Sequence, residues 1–291
     1  MENLRRVTGG YGGEAFLYLG KESTVLHDLG MACFSDKLIE NIDEALGGRS
    51  LDYILLSHTH YDHMGALPYV LKRWPNAKVC GCKKTASVFD RPGALRMIVS
   101  MGQSAAEFYG KDPSLVNAEG IRVDIVLEDG ELVDLGGGES VIAYETKGHT
   151  DCSMSYFIEP SGLLFASEST GVLENENKMH TSVLKSFDES FVAAKRLKEL
   201  PVKCLVVPHY GVTPKDVADR YFDWYIEEAL AEKELIEGCL TRGMSLEEAF
   251  EEHKKVYWNE VRAQNHPYRA YKMNTEIIIK MIASGMNENN N

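Results

Sequence analysis

The sequence predicts a mixed α/β layered core followed by a helical C-terminal appendage, and three observations carry that expectation. Short apolar runs of strand length, separated by Gly, Asp and Asn turns, fill the first two thirds of the chain. Helical patterns lie between some of these runs, so sheet and helix alternate within one region. After residue 213 the character becomes wholly helical. The 44% hydrophobic fraction of 291 residues is enough to bury a sizeable core.

The expected strands are 15–19, 24–26, 53–56, 77–80, 123–126, 141–144, 163–166 and 204–207, each apolar and bounded by turn residues. Helical patterns cover 35–45, 66–73 and 187–199. In the appendage, Thr213 is the expected N-cap, with Pro214 at the first helical position and Asp216 three residues after the cap. That helix should end at Gly243. Ser245 and Glu248 then form a capping box for a second helix through Phe250, Tyr257 and Val261. Asn274 is expected to cap a third helix that ends at Gly285. The domain organisation that follows is a core of residues 1–212, a helical appendage of 213–286 and a disordered tail of 287–291, the Asn-rich end of the chain.

Composition narrows the function classes. A net charge of −13 without any basic stripe repels phosphate backbones and anionic lipid, which argues against nucleic acid and membrane partners. The first twenty residues lack the apolar stretch of an export signal, so the expected address is cytoplasmic. Six cysteines are too few for a disulfide framework at this length, and reduced, mostly buried thiols are expected.

The chemistry concentrates in SHTHYDHMGALP, residues 57–68. It follows the apolar run YILL, so the ligands sit at the carboxyl end of a strand, where α/β sheets build sites. If the chain stays extended there, His58 and His60 lie on one side and can share a metal ion. Asp62 and His63, at the turn into the next helix, diverge enough to serve a second ion. Imidazole and carboxylate donors suit zinc, with iron or manganese fitting the same set. By composition, HxHxDH arises by chance in roughly one chain in a few thousand.

This stretch resembles the HxHxDH signature of the metallo-β-lactamase-fold superfamily of dinuclear metallohydrolases. TKGHTDCS resembles that family's Gly-rich turn and points to His149; LLFASES resembles its bridging-acid strand and points to Glu168; VVPHYG resembles its last ligand strand and points to His209. The resemblance covers residues 14–212 and implies a four-layer αββα sandwich with metals at one edge of the sheets. It also implies a ligand set: His58, His60 and His149 on one ion, Asp62, His63 and His209 on the other, and Glu168 between them. Glu168 departs from the family's usual Asp, and its extra methylene demands a deeper pocket or a different metal separation. The alternatives are that Glu168 binds one ion alone, or that Ser167 or Ser169 bonds outside the ligand shell. Asp28, in HDLG, sits where relatives often carry an Asp and would orient a ligand imidazole.

A dinuclear hydrolase follows, with two divalent metal ions sharing a hydroxide and Asp62 as general base. The preferred substrate is a small-molecule ester, thioester or lactone. Tyr210 and His180 are candidates for the substrate pocket, and a homodimer is compatible with the sequence. Tyr221, Trp224 and Tyr225, at helical spacing, are read as a docking surface of their helix. Two alternatives remain. DHMGALP with VLKRWPNAKV also resembles flavodiiron proteins, which reduce oxygen or nitric oxide, although those usually have Glu in place of His60 and carry a flavodoxin domain. The other is a metal-dependent sensor or scaffold.

Overall fold

A computed structural model of the chain describes residues 1–265 and 267–288. Its strands are β1 (Leu4–Arg6), β2 (Phe16–Leu19), β3 (Thr24–His27), β4 (Tyr53–Leu55), β5 (Lys78–Cys82), β6 (Ile125–Leu127), β7 (Leu132–Gly136), β8 (Glu139–Glu145), β9 (Met154–Glu159), β10 (Leu163–Phe165), β11 (Val172–Asn175), β12 (Lys178–His180), β13 (Cys204–Val207) and β14 (Gly211–Val212). The helices are α1 (Ser35–Leu46), α2 (Tyr61–Met64), α3 (Leu67–Arg73), α4 (Lys83–Phe89), α5 (Pro92–Phe108), α6 (Phe187–Lys198), α7 (Lys215–Ala218), α8 (Tyr221–Thr241), α9 (Leu246–Tyr257), α10 (Glu260–Asn265) and α11 (Tyr268–Glu288).

The chain divides into two compact units. The first comprises Met1–Glu145, Cys152–Ser167 and Pro201–Thr213 and holds two six-stranded sheets. One runs in the order β1-β2-β3-β4-β5-β6, with β3 to β6 parallel; the other runs β14-β13-β10-β9-β8-β7, antiparallel except for β10 beside β13. Because side chains alternate along a strand, the first sheet feeds two cores. Leu17, Leu26, Ile54 and Val79 pack with Leu38 and Ile42 of α1 and Val70 of α3. Phe16, Tyr18, Val25, Leu55 and Cys80 face the other way and pack with Val141, Ala143, Tyr156, Phe165 and Val206 of the second sheet. The Tyr156 hydroxyl donates to the Leu56 carbonyl at 2.8 Å and satisfies its only polar group within that layer.

The second unit comprises Thr146–Asp151, Glu168–Leu200 and Pro214–Asn291, with the β11–β12 hairpin and helices α6 to α11. Tyr221 and Tyr225 of α8 are fully buried, as a docking face requires; the Tyr221 hydroxyl donates to the Gly171 carbonyl and Tyr225 meets Ser190 of α6.

All eight expected strands and the three expected core helices form, within a residue or two at their ends. The helix α5 was not expected. Its seventeen residues open on Pro92-Gly93 and contain Gly102, which read as breakers. Gly102 is there because a Cβ would lie 2.9 Å from Val116 Cγ1. Strand β9 is buried along its first five residues, one of them a serine, and its apolar letters are broken by Ser155 and end on Glu159, so it was not expected.

The appendage departs from expectation at its joints. Thr213 does not cap a helix: its N–H donates to the Leu205 carbonyl, extending the pairing of β13 and β14, and the single expected helix is split into α7 and α8. The Ser245–Glu248 capping box forms in full, but α9 stops at Tyr257, where Trp258 turns extended. Asn259 then restarts the chain as α10 by accepting the Arg262 N–H. The last helix begins after Pro267, not at Asn274, because the Pro267 carbonyl accepts from Ala270 and Tyr271. It continues past Gly285 through residues 287 and 288, part of the segment expected to be disordered; residues 289–291 lie outside the described ones. No helix among the described residues is long and apolar enough to cross a membrane.

Candidate metal centre

The ligand candidates of the first unit hang from strand ends. Past β4 the chain bends at Ser57 and is extended at His60, and the His58 and His60 ring centroids are 4.5 Å apart. Asp62 and His63 lie on the single turn of α2, whose His63 N–H bonds back to the His60 carbonyl. His209 follows β13 with φ of +60°. The His63 and His209 Nε2 atoms are 3.3 Å apart, and Asp62 Oδ2 is 3.9 Å from the first and 3.8 Å from the second.

The outer nitrogens explain this convergence. His63 Nδ1 lies 2.8 Å from Asp28 Oδ2, and His209 Nδ1 lies 3.1 Å from the Gly12 carbonyl. Both partners only accept, so each ring carries its proton on Nδ1 and presents a lone pair at Nε2. Two lone pairs 3.3 Å apart beside a carboxylate repel one another unless a cation lies between them. Asp28 accepts three times in all, from His63, from the Ser57 N–H at 2.8 Å and from the Ser57 hydroxyl at 2.6 Å. The Ser57 oxygen in turn lies 2.9 Å from His58 Nδ1. Burial alone would raise the Asp28 carboxyl, but the neighbouring His27 and His63 imidazoles and the hydrogen bonds from His63 and Ser57 outweigh it, and its pKa is lowered. His27, buried and stacked on Phe165 at 4.3 Å, is pushed by burial towards the neutral form.

The second unit supplies His149 and Glu168, with Glu168 Oε2 3.0 Å from His149 Nε2. The Ser182 carbonyl lies 2.6 Å from His149 Nδ1, fixing the same tautomer, and the Ser182 hydroxyl donates to Glu168 Oε2 at 3.1 Å. The His149 N–H donates to Ser169 Oγ at 2.9 Å, so the serine that follows Glu168 is the one that bonds outside the ligand set. Ser167 instead donates its N–H to Ser155 Oγ.

Among the described residues, the non-glycine residues with left-handed backbone are Asp28, Ser182 and His209. Each such conformation costs about 1–3 kcal/mol and persists only where its surroundings enforce it. Asp28 and Ser182 each bond a ligand candidate of their own unit, and His209 is itself one. Ser57, Ser182 and the Gly12 carbonyl were not singled out in the sequence. Ser57 was legible, since it sits between the strand and the first ligand; Ser182 was not, because no spacing rule ties it to residues 149 and 168.

Of the two pocket candidates, His180 ends β12 with Nδ1 3.8 Å from Glu174 Oε1. Tyr210 lines a shallow groove with Arg6, Phe16 and Val212. Tyr109, which was not a pocket candidate, feels the charge of Asp62. The Tyr109 hydroxyl is pushed up to about 12, by burial first and then by the Asp62 charge. Close backbone approach holds this region together: the Gly13 N–H donates to the Asp62 carbonyl at 2.8 Å, and a Cβ on Gly13 would collide with that carbonyl. Gly13→Ala is expected to cost about 1–3 kcal/mol by forcing α2 away, a loss that urea denaturation would register.

Comparison with known proteins identifies the family and the fold. Residues 8–209 match the family model of the metallo-beta-lactamase superfamily. The fold-containing protein ST1585 of Sulfurisphaera tokodaii is 28% identical over 231 residues, covering 76% of this chain and 79% of that protein; its solved structure superposes with a TM-score of 0.61. The family protein TTHA1429 of Thermus thermophilus superposes with a TM-score of 0.67 over 98% of this chain and 95% of its own, at 16% identity. Coenzyme F420H(2) oxidase of Methanothermobacter marburgensis is 24% identical over 241 residues, 72% of this chain, which spans about half (53%) of that protein. With a family match over most of its length, this chain belongs to the metallo-beta-lactamase superfamily.

Proposed function

We propose that this protein is a dinuclear metal-dependent hydrolase acting on a small-molecule ester, thioester or lactone. The observation that carries the reading is the outward bonding of Nδ1 in His63, His149 and His209, which turns three Nε2 lone pairs towards carboxylates. In this reading, as the family resemblance implies, His58, His60 and His149 hold one ion and Asp62, His63 and His209 a second, with Glu168 between them. Three imidazoles suit one divalent ion, and two imidazoles with two carboxylates suit a second, zinc first and iron or manganese by the same chemistry. The 3.0 Å approach of Glu168 Oε2 to His149 Nε2 supports a ligand role for this carboxylate. Two such ions, when bound, supply an activated water and polarise the scissile carbonyl.

The protein's own groups do the rest. Asp62 Oδ2 is turned towards His63 and His209, so Oδ1 is the atom that takes a proton from the attacking water and returns it to the leaving group. Asp28, the Gly12 carbonyl and Ser182 hold the imidazoles in one tautomer throughout. The charge of −13 supports a small-molecule substrate over nucleic acid.

Elemental mass spectrometry of protein expressed without added metal, beside Glu168→Ala, tests the reading. Close to two zinc or manganese ions per chain, falling in the variant, with turnover on an ester, thioester and lactone panel, is the expected result. The similarity to F420H(2) oxidase supports a second reading, a diiron redox core served by a separate electron donor. Two irons per chain with oxygen consumption and no hydrolysis would favour it. Absence of metal from both proteins after reconstitution would overturn both.

A further inference from the structure

Residues 9–13, GGYGG, form a loop whose backbone is pressed onto its neighbours. A Cβ on Gly9 or Gly10 would collide with Phe34, and one on Gly12 would lie 2.6 Å from Met31 Cε and 3.2 Å from Asp62 Cβ. Gly12 and Gly13 are hydrogen-bonded to His209 and Asp62. The loop is therefore fastened to two of the proposed ligands, and Tyr11 is the one side chain it projects.

Tyr11 stacks on Tyr109 with ring centroids 4.8 Å apart and planes 5° from parallel. Phe34 stands tilted against both rings at 6.1 and 6.0 Å, and Phe108 meets Tyr109 edge-on at 4.9 Å. The Lys111 ammonium lies 5.4 Å from the Phe34 centroid. Stacking hides one face of the Tyr11 ring, yet the residue remains 57% exposed and Phe108 48% exposed. Glycines at four of five positions make such a loop entropically costly to order. A purely structural loop gains nothing from placing a stacked aromatic outward beside Asp62.

We propose that Tyr11, backed by Tyr109 and Phe34, is the wall that binds a planar aromatic group of the substrate, so that the preferred substrate is an aryl ester or arylacyl thioester. This rests on the hydrolase reading for its chemistry, but not for the binding surface. A flat ring laid on the outer face of Tyr11 continues the Tyr11–Tyr109 stack and removes apolar surface from water.

The test uses the zinc-reconstituted full chain with 2-naphthyl acetate and ethyl acetate. In Tyr11→Ala the ratio of kcat/KM for the aryl over the alkyl ester should fall about tenfold, while Tyr11→Phe should keep it within about twofold. An unchanged ratio in Tyr11→Ala overturns the proposal. If the wild-type chain hydrolyses neither ester, the ester, thioester and lactone panel decides the hydrolase reading separately, and 2-naphthoate binding, followed by saturation-transfer NMR, decides the wall. Binding weakened about tenfold by Tyr11→Ala supports it; no binding to wild type, or equal binding to the variant, overturns it.

Discussion

Asp28→Ala is expected to destabilise the metal-free protein by about 3–5 kcal/mol, because three buried donors lose one common acceptor. The Ser57 N–H, the Ser57 hydroxyl and His63 Nδ1 all converge on this carboxylate, which is 2% exposed. Water cannot replace it without parting the chain that leaves β3 from the chain that leaves β4. Alanine also fits poorly at φ of +50°, where it would keep the N–H bond to the Leu55 carbonyl but lose the three side-chain bonds. Asp28→Asn separates the two contributions. The amide keeps the shape but turns a donor towards at least one donor, so the His63 ring loses its orientation and metal affinity should fall about 10–100-fold with a smaller loss of stability. Urea denaturation of chelator-treated protein and competitive zinc titration read the two quantities. A loss below about 1 kcal/mol in Asp28→Ala would show that the network is dispensable.

The same residue illustrates how much the sequence discloses. HxHxDH was legible because a strand period of two and a single helical turn place its four donors without any long-range information. His149, Glu168 and His209 were legible only through resemblance, since nothing local distinguishes them from loop residues. The partners of the imidazoles divide in the same way. Asp28 follows an apolar strand and could be named; Ser182 lies fourteen residues from Glu168 and owes its place to a left-handed turn that only packing enforces. The helical unit shows a further limit. The Ser245–Glu248 box is self-contained, so the sequence predicts it correctly, whereas the Thr213 cap fails because a distant carbonyl, that of Leu205, takes the N–H first. Local chemistry is readable where it closes on itself, and it is overruled where a sheet or a neighbouring helix offers a competing partner.

The second large effect is expected far along the chain from the HxHxDH stretch. Glu232, on α8 and 4% exposed, accepts from the Thr181 hydroxyl and lies 2.7 Å from His253 Nε2 of α9; His253 Nδ1 lies 2.9 Å from the Tyr271 hydroxyl of α11. One carboxylate thus ties three helices to the segment that leaves β12. Glu232→Ala strands the Thr181 hydroxyl and a buried imidazole together, which should cost about 3–5 kcal/mol, measured by urea denaturation. Glu232→Leu with His253→Leu removes donor and acceptor at once, so the double variant should lose less than the sum of the single ones, with a coupling of about 0.5–3 kcal/mol. The consequence for chemistry runs through one peptide bond. Thr181 precedes Ser182, whose carbonyl and hydroxyl hold His149 and Glu168, and whose φ of +55° needs external support. Freeing Thr181 relaxes that turn, so Glu232→Ala should also lower metal content per folded chain. Thr181→Val, which removes the hydroxyl but keeps the volume, should reproduce the metal loss with a smaller loss of stability. If Glu232→Ala unfolds more easily while its folded fraction retains the full metal complement, Ser182 is held by its own contacts alone and the helices serve stability only.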